Sequence, residues 1–463
     1  MARWRWSLPQ LAPLSLVLLL WGCVGEDLTP APPGRALSFE DLKQRVARVR
    51  GLSFQRDVAL ESASLQELQA LVEKSVFEER GRDLLEQTAR IFARLGLLTE
   101  KTDLPKALVE LRLSEQALHY DSRSGKVTVP QGGAKPPGLA FFADRLGAGN
   151  ETQSELLQLY ALTRILQEQN SRWPEQLKRR RTEDTALALA ALTKGEAVLV
   201  GLAHLLADGG DNRQKIVERA KELPRFRAEI EKSLARLPEL LRQETVFQYI
   251  QGSRFALWAY SLKGWEGVNG LYSDPPRSTK QILHPEKYYV ERDDPLRLTP
   301  WSLLRDMGGK KILEETLGEL LIQILLSRSL SREEAARAAA GWLGDSLLAF
   351  QEGEALVIAW VTAWENSEEA MEFFRSYRKG LERRHGIQLE PLPASAETLV
   401  TPAASKQRLL LQINGNFVFF LDGVARPRSL AIAEGLWGEL ETDVEPQPFE
   451  VTRQGRHAPA ARR

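Results

Sequence analysis

Catalysis at neutral pH leans on histidine, cysteine and carboxylates, and this chain uses the first two sparingly. It has five histidines, His119, His204, His284, His385 and His457, and one cysteine, Cys23. No two histidines stand four residues apart, so no single helix offers the paired imidazoles of an HExxH zinc site. A single cysteine excludes an intramolecular disulfide and any Cys-rich zinc or iron–sulfur site. The string Gly344-Asp345-Ser346-Leu347 spells the GDSL nucleophile motif. It comes late in the chain, and the matching Asp-x-x-His is missing: Glu382 stands three residues before His385, and Gln454 three before His457. The apolar run after Ser346 reads instead as a strand start. His204 sits in an apolar helical run, where a satisfied core histidine is expected. His284, Glu286 and Asp345 remain as an alternative acid–base set for hydrolysis, weighed against a cleft-lining or structural role for the His284 loop. No Walker loop or dinucleotide fingerprint is present.

The elements that must position any site are mostly helices. Ser38-Phe39-Glu40-Asp41 opens the first with a capping-box-like start. Apolar residues then repeat at three and four spacing over 65–79, 82–95, 104–113, 151–169, 184–207, 211–221, 224–237, 247–262 and 316–326. Tyr120 to Val129 reads as a short hairpin turning at Ser124-Gly125. Residues 264–289, with Pro275-Pro276, read as a loop. After about Ser331 the pattern changes. Strands are expected over 346–350 and 355–362, a helix over 367–384, and a hairpin around Asn414-Gly415. A last short helix is expected over 430–436. The fold class is therefore α+β and predominantly α-helical: a helical domain at 38–330 with a short β-hairpin, then a smaller α+β domain at 331–444. Residues 445–463 read as a disordered basic tail.

Charge and the N-terminus narrow the setting. The 463 residues carry 62 basic and 62 acidic side chains. A nucleic-acid binder would normally show a basic excess, so no nucleic-acid partner is expected. Arg3 and Arg5 precede the apolar run Leu11 to Leu20, which is too short to span a bilayer and fits a secretory signal. Leu20-Trp21-Gly22-Cys23 looks like a bacterial lipobox, with Trp21 departing from the small residue usual at that place. The expectation is a lipoprotein signal peptide at 1–22, lipid on Cys23 and a Pro/Gly-rich tether at 23–37. Acyl chains contribute about 0.8 kcal/mol per buried CH₂, so the lipid would supply the membrane contact. An exported bacterial lipoprotein of the outer membrane follows, since Val24 rather than Asp succeeds the cysteine.

Several blocks carry a resemblance. Gly264-Trp265-Glu266-Gly267-Val268-Asn269 leads into Asp274-Pro275-Pro276-Arg277-Ser278-Thr279-Lys280-Gln281-Ile282-Leu283-His284-Pro285-Glu286-Lys287-Tyr288. This is similar to "GGW…VN…PPxSTEQxLHPEKY" in a bacterial family of exported zincin-like metallopeptidases, often lipoproteins. Val49-Arg50-Gly51-Leu52 resembles the family's "RGL". His119-Tyr120-Asp121 with Lys126-Val127-Thr128-Val129 resembles its "FYD…G…YV" hairpin. Ala338 to Asp345 resembles "AAxGWxGD", and Trp364-Glu365 with Glu372-Phe373 resembles "WD…EF".

The resemblance implies a zinc helix reading "HExxHALQDQ" and a later "ALxALxEGDA". In the family both His are ligands, the intervening Glu is the general base and the Glu of "EGDA" is the third ligand. Here the frame of Leu166, Gln167, Gln169, Gly195 and Ala197 is kept, and the chemistry is not. Tyr160 and Arg164 stand at the histidine positions, Ala161 at the base and Lys194 at the third ligand. Arginine does not give up its proton in a protein, and without a Lewis acid or base no water is activated. The expectation is an inactive relative, with no metal, no cofactor and no catalytic residue. It would act as a binding or scaffolding protein for a protein or peptide of the cell envelope. Arg164 and Lys194 would replace the metal's charge, pairing with Glu168, Glu196 or an acidic ligand. Ser278, Gln281 and His284 would line the cleft or contact the partner. The alternatives are a hydrolase built near His284 and a purely structural lipoprotein of an envelope complex.

Overall fold

The computed structural model describes residues 37–116, 119–121, 124–131, 150–171, 182–206, 213–393 and 395–444. The signal peptide, Cys23, almost all of the tether and the basic tail lie outside the described residues, as does most of the Gly/Pro-rich stretch after Pro130.

The helices form where periodicity and caps place them. Phe39–Arg50 begins at Ser38 with a full capping box to Asp41 and ends at left-handed Gly51. Leu65–Arg80 and Arg332–Ala340 start with the same device, at Ser64 and Ser331. The Glu183–Leu205 helix is different. It has almost no polar face, and 16 of its residues are buried. Its length and composition would also suit a membrane span, but 83% of its apolar window is buried within the fold. It is the central core helix, packed by Asn150–Asn170 on one side and Gly252–Gly270 on another.

Two differences from the sequence reading bear on the site. The expected helix over 247–262 belongs to a longer run, with Glu239–Val246, one wide π turn at Phe247–Gln251 and then Gly252–Gly270. Helix also extends into the expected 264–289 loop. At Gly264 the backbone takes φ 62° and ψ −146°, a conformation open to glycine because it lacks Cβ. The chain kinks there and continues as helix to Gly270. Short helices Thr279–Leu283 and Glu286–Tyr289 follow.

The later region is a seven-stranded antiparallel sheet. Its spatial order is Lys310–Glu315, Trp342–Glu352, Ala355–Trp364, Phe417–Asp422, Leu409–Asn414, Ser395–Val400, Glu390–Leu392. Asn414-Gly415 turns the expected hairpin, with Gly415 at φ 57°. Side chains alternate between faces. Leu347, Ala349, Ile358, Trp360 and Phe420 meet the Ser367–His385 helix and the large helical core. Leu348, Phe350, Val357, Ala359, Phe419 and Leu421 meet the Arg426–Gly438 helix. Both faces are covered, which is why the central strands read as nearly unbroken apolar runs. The architecture is α+β and predominantly helical. No linker separates 38–330 from 331–444: Ile91, Leu192, Phe255, Leu321 and Trp360 share one core, and Lys310–Glu315 supplies an edge strand to the later sheet.

Candidate functional site

A charged residue on an all-buried helix must find a partner inside the protein. Lys194, Gly195 and Glu196 sit consecutively at the middle of Glu183–Leu205, and each meets a different neighbour. Lys194 Nζ donates to Glu115 Oε1 at 2.5 Å and to Gln248 Oε1 at 2.6 Å. It also lies 5.1 Å from the Tyr249 ring centroid. Gly195 touches Gly252: a Cβ built on Gly195 would lie 2.1 Å from the Gly252 carbonyl carbon. The two helices therefore approach backbone to backbone. Glu196, with no exposed surface, accepts from Arg50 Nε and from the Tyr272 hydroxyl. Arg50 is 1% exposed, donates through Nη2 to Asn269 Oδ1 at 2.7 Å, and stacks 4.6 Å from the Trp265 centroid.

The kink at Gly264 and the π turn carry this arrangement. Past the kink, Trp265 and Asn269 reach Arg50. The wide turn carries Gln248 and Tyr249 to Lys194; such turns recur at functional places in helices. Burial pushes the Tyr249 and Tyr272 phenols well above their ordinary pKa, reinforced by Tyr160 at Tyr249 and by Glu196 at Tyr272. Both stay protonated and can only act as neutral donors or acceptors.

Tyr160 and Arg164 enter from the Asn150–Asn170 helix, four residues apart on one face. Tyr160 is 3% exposed and Arg164 is half-buried. Burial opposes the Arg164 charge, but its interaction with Tyr160 and the fields of Tyr272 and Tyr249 outweigh that and raise its pKa. Arg164 thus shares a neighbourhood with Tyr160, Tyr249 and Tyr272, and through them with Lys194 and Glu196. Ala161 is buried among apolar neighbours that include Leu162 and Ile165. Gln167 donates to Thr193 O at 3.3 Å, and Gln169 accepts from the Gln55 and Arg56 amides at 2.8 and 3.0 Å. These two glutamines tie the helix to its surroundings.

Two expected pairings are corrected. Lys194 pairs with Glu115, not with Glu168 or Glu196. Glu196 is taken by Arg50 and Tyr272, not by Arg164. In each case a group from another packed element takes the charge: the Glu115 carboxylate accepts from Lys194, and Arg50 and Tyr272 donate to Glu196. Sequence reasoning missed Arg50, Glu115, Gln248, Tyr249, Trp265, Asn269 and Tyr272 as participants. The available signal was indirect: Lys194 and Glu196 on an apolar helix announce that buried partners exist, without saying where.

The remaining predicted residues belong elsewhere. Ser278 and Gln281 are fully buried. Ser278 caps the Thr279–Leu283 helix, and Gln281 Nε2 donates to Asp293 O and Asp294 Oδ1, each at 2.9 Å. They hold the loop from inside. His284 is 30% exposed and its Nε2 lies 2.8 Å from Glu319 Oε1, with Glu286 3.8 Å from Nδ1. The Glu319 hydrogen bond raises the His284 pKa against the opposing effect of burial. Asp345 is committed to structure. It accepts from the Leu317 and Gly318 amides, both at 2.9 Å, and from the Trp342 and Trp360 indoles, both at 3.0 Å. It thus caps the Gly318–Ser327 helix, and Ser346 lies within the strand Trp342–Glu352. His204 meets Glu155 at 3.3 Å. A cavity of about 330 Å³ lies among Leu97, Lys106, Arg236 and Glu239, away from all these groups. Among the described residues no group of three or more His, Cys, Asp or Glu is placed to hold a metal.

A second charge cluster borders the site and sets a pH dependence. Arg80 holds Glu183 through two bonds of 2.9 and 3.0 Å. Glu315 accepts from the Glu183 amide at 2.8 Å. Glu244, 8% exposed, is pushed up from 4.5 to about 8 by burial and then by the Glu183 charge, against the pull of Arg80 and Lys194. Glu315 moves the same way for the same leading reasons. A carboxyl with a raised folded-state pKa binds its proton more tightly folded than unfolded. Its stabilisation is full below pH 4.5 and is lost as pH rises through about 8. Glu244 alone makes stability fall by up to about 1.4 kcal/mol per pH unit across that window. Glu244→Gln should flatten that slope and exceed wild type in stability above pH 8. Urea unfolding at several pH values checks this, and an unchanged slope in the variant would contradict it.

Comparison with known proteins adds a limited frame. A domain of unknown function, DUF8575, matches residues 305–430, which contain all seven strands of the later sheet and lie outside the Lys194 neighbourhood. A search of curated proteins gives no match. Among solved structures, one similar chain is a protein from Chloroflexus aurantiacus described as a "putative hydrolase with a novel fold". It is 17% identical, covers 57% of this chain and 93% of its own, and has a TM-score of 0.35.

Proposed function

We propose that this chain is a lipid-anchored protein of the bacterial cell envelope, an inactive relative of zincin-like metallopeptidases that binds or scaffolds an envelope partner. The observation that carries the reading is the fate of the motif positions. Lys194, where the resemblance would place a carboxylate ligand, is bound by Glu115 and Gln248. Arg164, in place of a histidine, lies among three tyrosines. A permanently charged guanidinium and a salt-bridged ammonium repel a divalent cation rather than ligate it. Blocks that carry the resemblance also meet in space: Arg50, the Lys194–Glu196 triplet, Trp265 and Asn269 form one network. That is support for reading them as parts of one inherited site.

His284 with Glu319 favours a second reading, a hydrolase with acid–base chemistry outside the motif helices. The pair is partly exposed and hydrogen-bonded, but Asp345 is engaged by four donors elsewhere. The experiment is metal analysis of the purified protein beside a casein digest. The binding reading expects no stoichiometric zinc and no turnover. Zinc lost on chelation together with peptidase activity would overturn it, and turnover abolished by His284→Ala would favour the hydrolase.

A further inference from the structure

The cavity of about 330 Å³ is formed by the first turns of the Leu104–Gln116 helix, the segment before it and the turn that leads into Glu239–Val246. Its size is at the lower end of small-molecule sites, about 300–1,000 Å³. The floor is apolar. Leu97, Leu98, Ala107 and Leu237 line it, between 2% and 7% exposed, and all four belong to the large core. The walls are pinned by contacts of their own. Asp103 Oδ1 accepts from the Lys106 amide at 3.0 Å, the Thr99 and Thr102 hydroxyls lie 2.9 Å apart, and Arg328 donates to Glu239. Asp103, Arg328 and Glu239 are thereby engaged.

Three charged side chains of the lining are not. Lys106, Glu110 and Arg236 are exposed, and none of them has a side-chain ion pair or hydrogen bond to a described residue. Lys106 and Glu110 stand at i and i+4 on one helix face, about 6 Å apart at Cβ, and yet do not pair. Lysine precedes glutamate here, which is the weaker order for such a pair. Arg236 comes from the other wall. A lone exposed charge is commonplace on any protein. Here opposite signs stand side by side over an apolar floor.

We propose that this cavity binds a free α-amino acid with an apolar side chain. Such a ligand carries both charges on one carbon. Its carboxylate meets Lys106 and Arg236, the latter through a guanidinium fork suited to two oxygens, and its ammonium meets Glu110. The side chain covers the floor and leaves water. A simple carboxylic acid would face Glu110 unfavourably, and a simple amine would face two cations. A peptide carries its charges at opposite ends and presents one sign at a time. The inference goes beyond the binding reading above and does not depend on it, because the cavity uses none of the motif residues.

The test is calorimetric titration of the purified full-length protein with leucine, glycine, N-acetylleucine and leucinamide. Saturable binding of leucine is expected. Masking either charge should weaken it about fivefold, the upper end for an exposed ion pair. Glycine should bind about tenfold more weakly than leucine, the worth of a partly buried leucine side chain. Glu110→Gln and Arg236→Gln change exposed positions, so thermal unfolding should stay as in wild type while leucine binding weakens about fivefold in each. Glu110→Gln should also bind leucine and N-acetylleucine alike. The proposal is overturned if leucine does not bind at millimolar concentration, or if glycine, N-acetylleucine or leucinamide binds wild type as tightly as leucine does. It is equally overturned if both variants bind leucine as wild type does.

Discussion

Gly195→Ala should unfold or nearly unfold the protein, while Gly201→Ala, six residues along the same helix, should leave it as stable or slightly more so. The added methyl is the same, and so is the helical backbone. Only the neighbour differs. A Cβ on Gly195 would lie 2.1 Å from the Gly252 carbonyl carbon, 2.2 Å from its oxygen and 2.5 Å from the Ser253 nitrogen. These are backbone atoms of a packed helix and cannot rotate aside. A Cβ on Gly252 would in turn lie 2.1 Å from the Ala191 carbonyl oxygen. Relief requires the two helices to separate, which strips contacts from the core and pulls Lys194 and Glu196 off their partners. A cost of about 4 kcal/mol or more is expected, in the exceptional range for one substitution and a large part of a typical stability of about 5–15 kcal/mol. At Gly201 the nearest atom is Leu156 Cδ2 at 3.6 Å, ordinary contact. There alanine's better helix propensity should contribute up to about 1 kcal/mol. Thermal unfolding of the two variants side by side checks the contrast, and equal effects would contradict it.

How far this site could be read in advance depends on the range of each interaction. Helix starts were legible because a capping box lies within four residues, as at Ser38 and Asp41. The Asn414-Gly415 turn was legible for the same reason. Leu296–Pro300 and Leu440–Val444, which pair with each other, were not. Leu296–Pro300 alternates Leu-Arg-Leu-Thr but is short and ends in proline, and Leu440–Val444 has three acidic or hydroxyl residues among five. Lys310–Glu315 is a charged edge strand, a composition that guards an edge against stray pairing and also hides it from pattern reading. The parallel partners Ala59–Ala63 and Lys126–Pro130 are far apart in sequence. At the site, the resemblance pointed to Tyr160, Arg164 and Lys194, and these do share one neighbourhood. Their partners Glu115 and Gln248 were not legible. Each lies on another helix, and nothing in the local pattern of 104–116 or 239–251 distinguishes a residue that turns inward to a lysine. The π turn that helps place Gln248 has no local signature of that kind either.

The central claim is that buried charges around Lys194 are paired within the protein, with Lys194 held at the position the resemblance would give to a metal ligand. Lys194 and Glu115 are both nearly inaccessible, with side chains 8% and 3% exposed, and are joined at 2.5 Å. Removing one partner of such a pair leaves the other buried and uncompensated, at a cost of about 3–5 kcal/mol. Lys194→Met would strand the Glu115 carboxylate. Glu115→Leu would leave the ammonium with Gln248 and the Tyr249 ring alone. Replacing both by apolar residues of similar volume removes two desolvation penalties at once, and is commonly neutral or stabilising. The effects should therefore be strongly non-additive.

The most direct measurement is a double-mutant cycle of urea-unfolding free energies on wild type, Lys194→Met, Glu115→Leu and the double variant. The predicted result is a loss of about 3 kcal/mol or more in each single variant and a double variant more stable than either. Single variants that each lose less than about 1 kcal/mol and simply add, as for an exposed surface pair, would contradict the account.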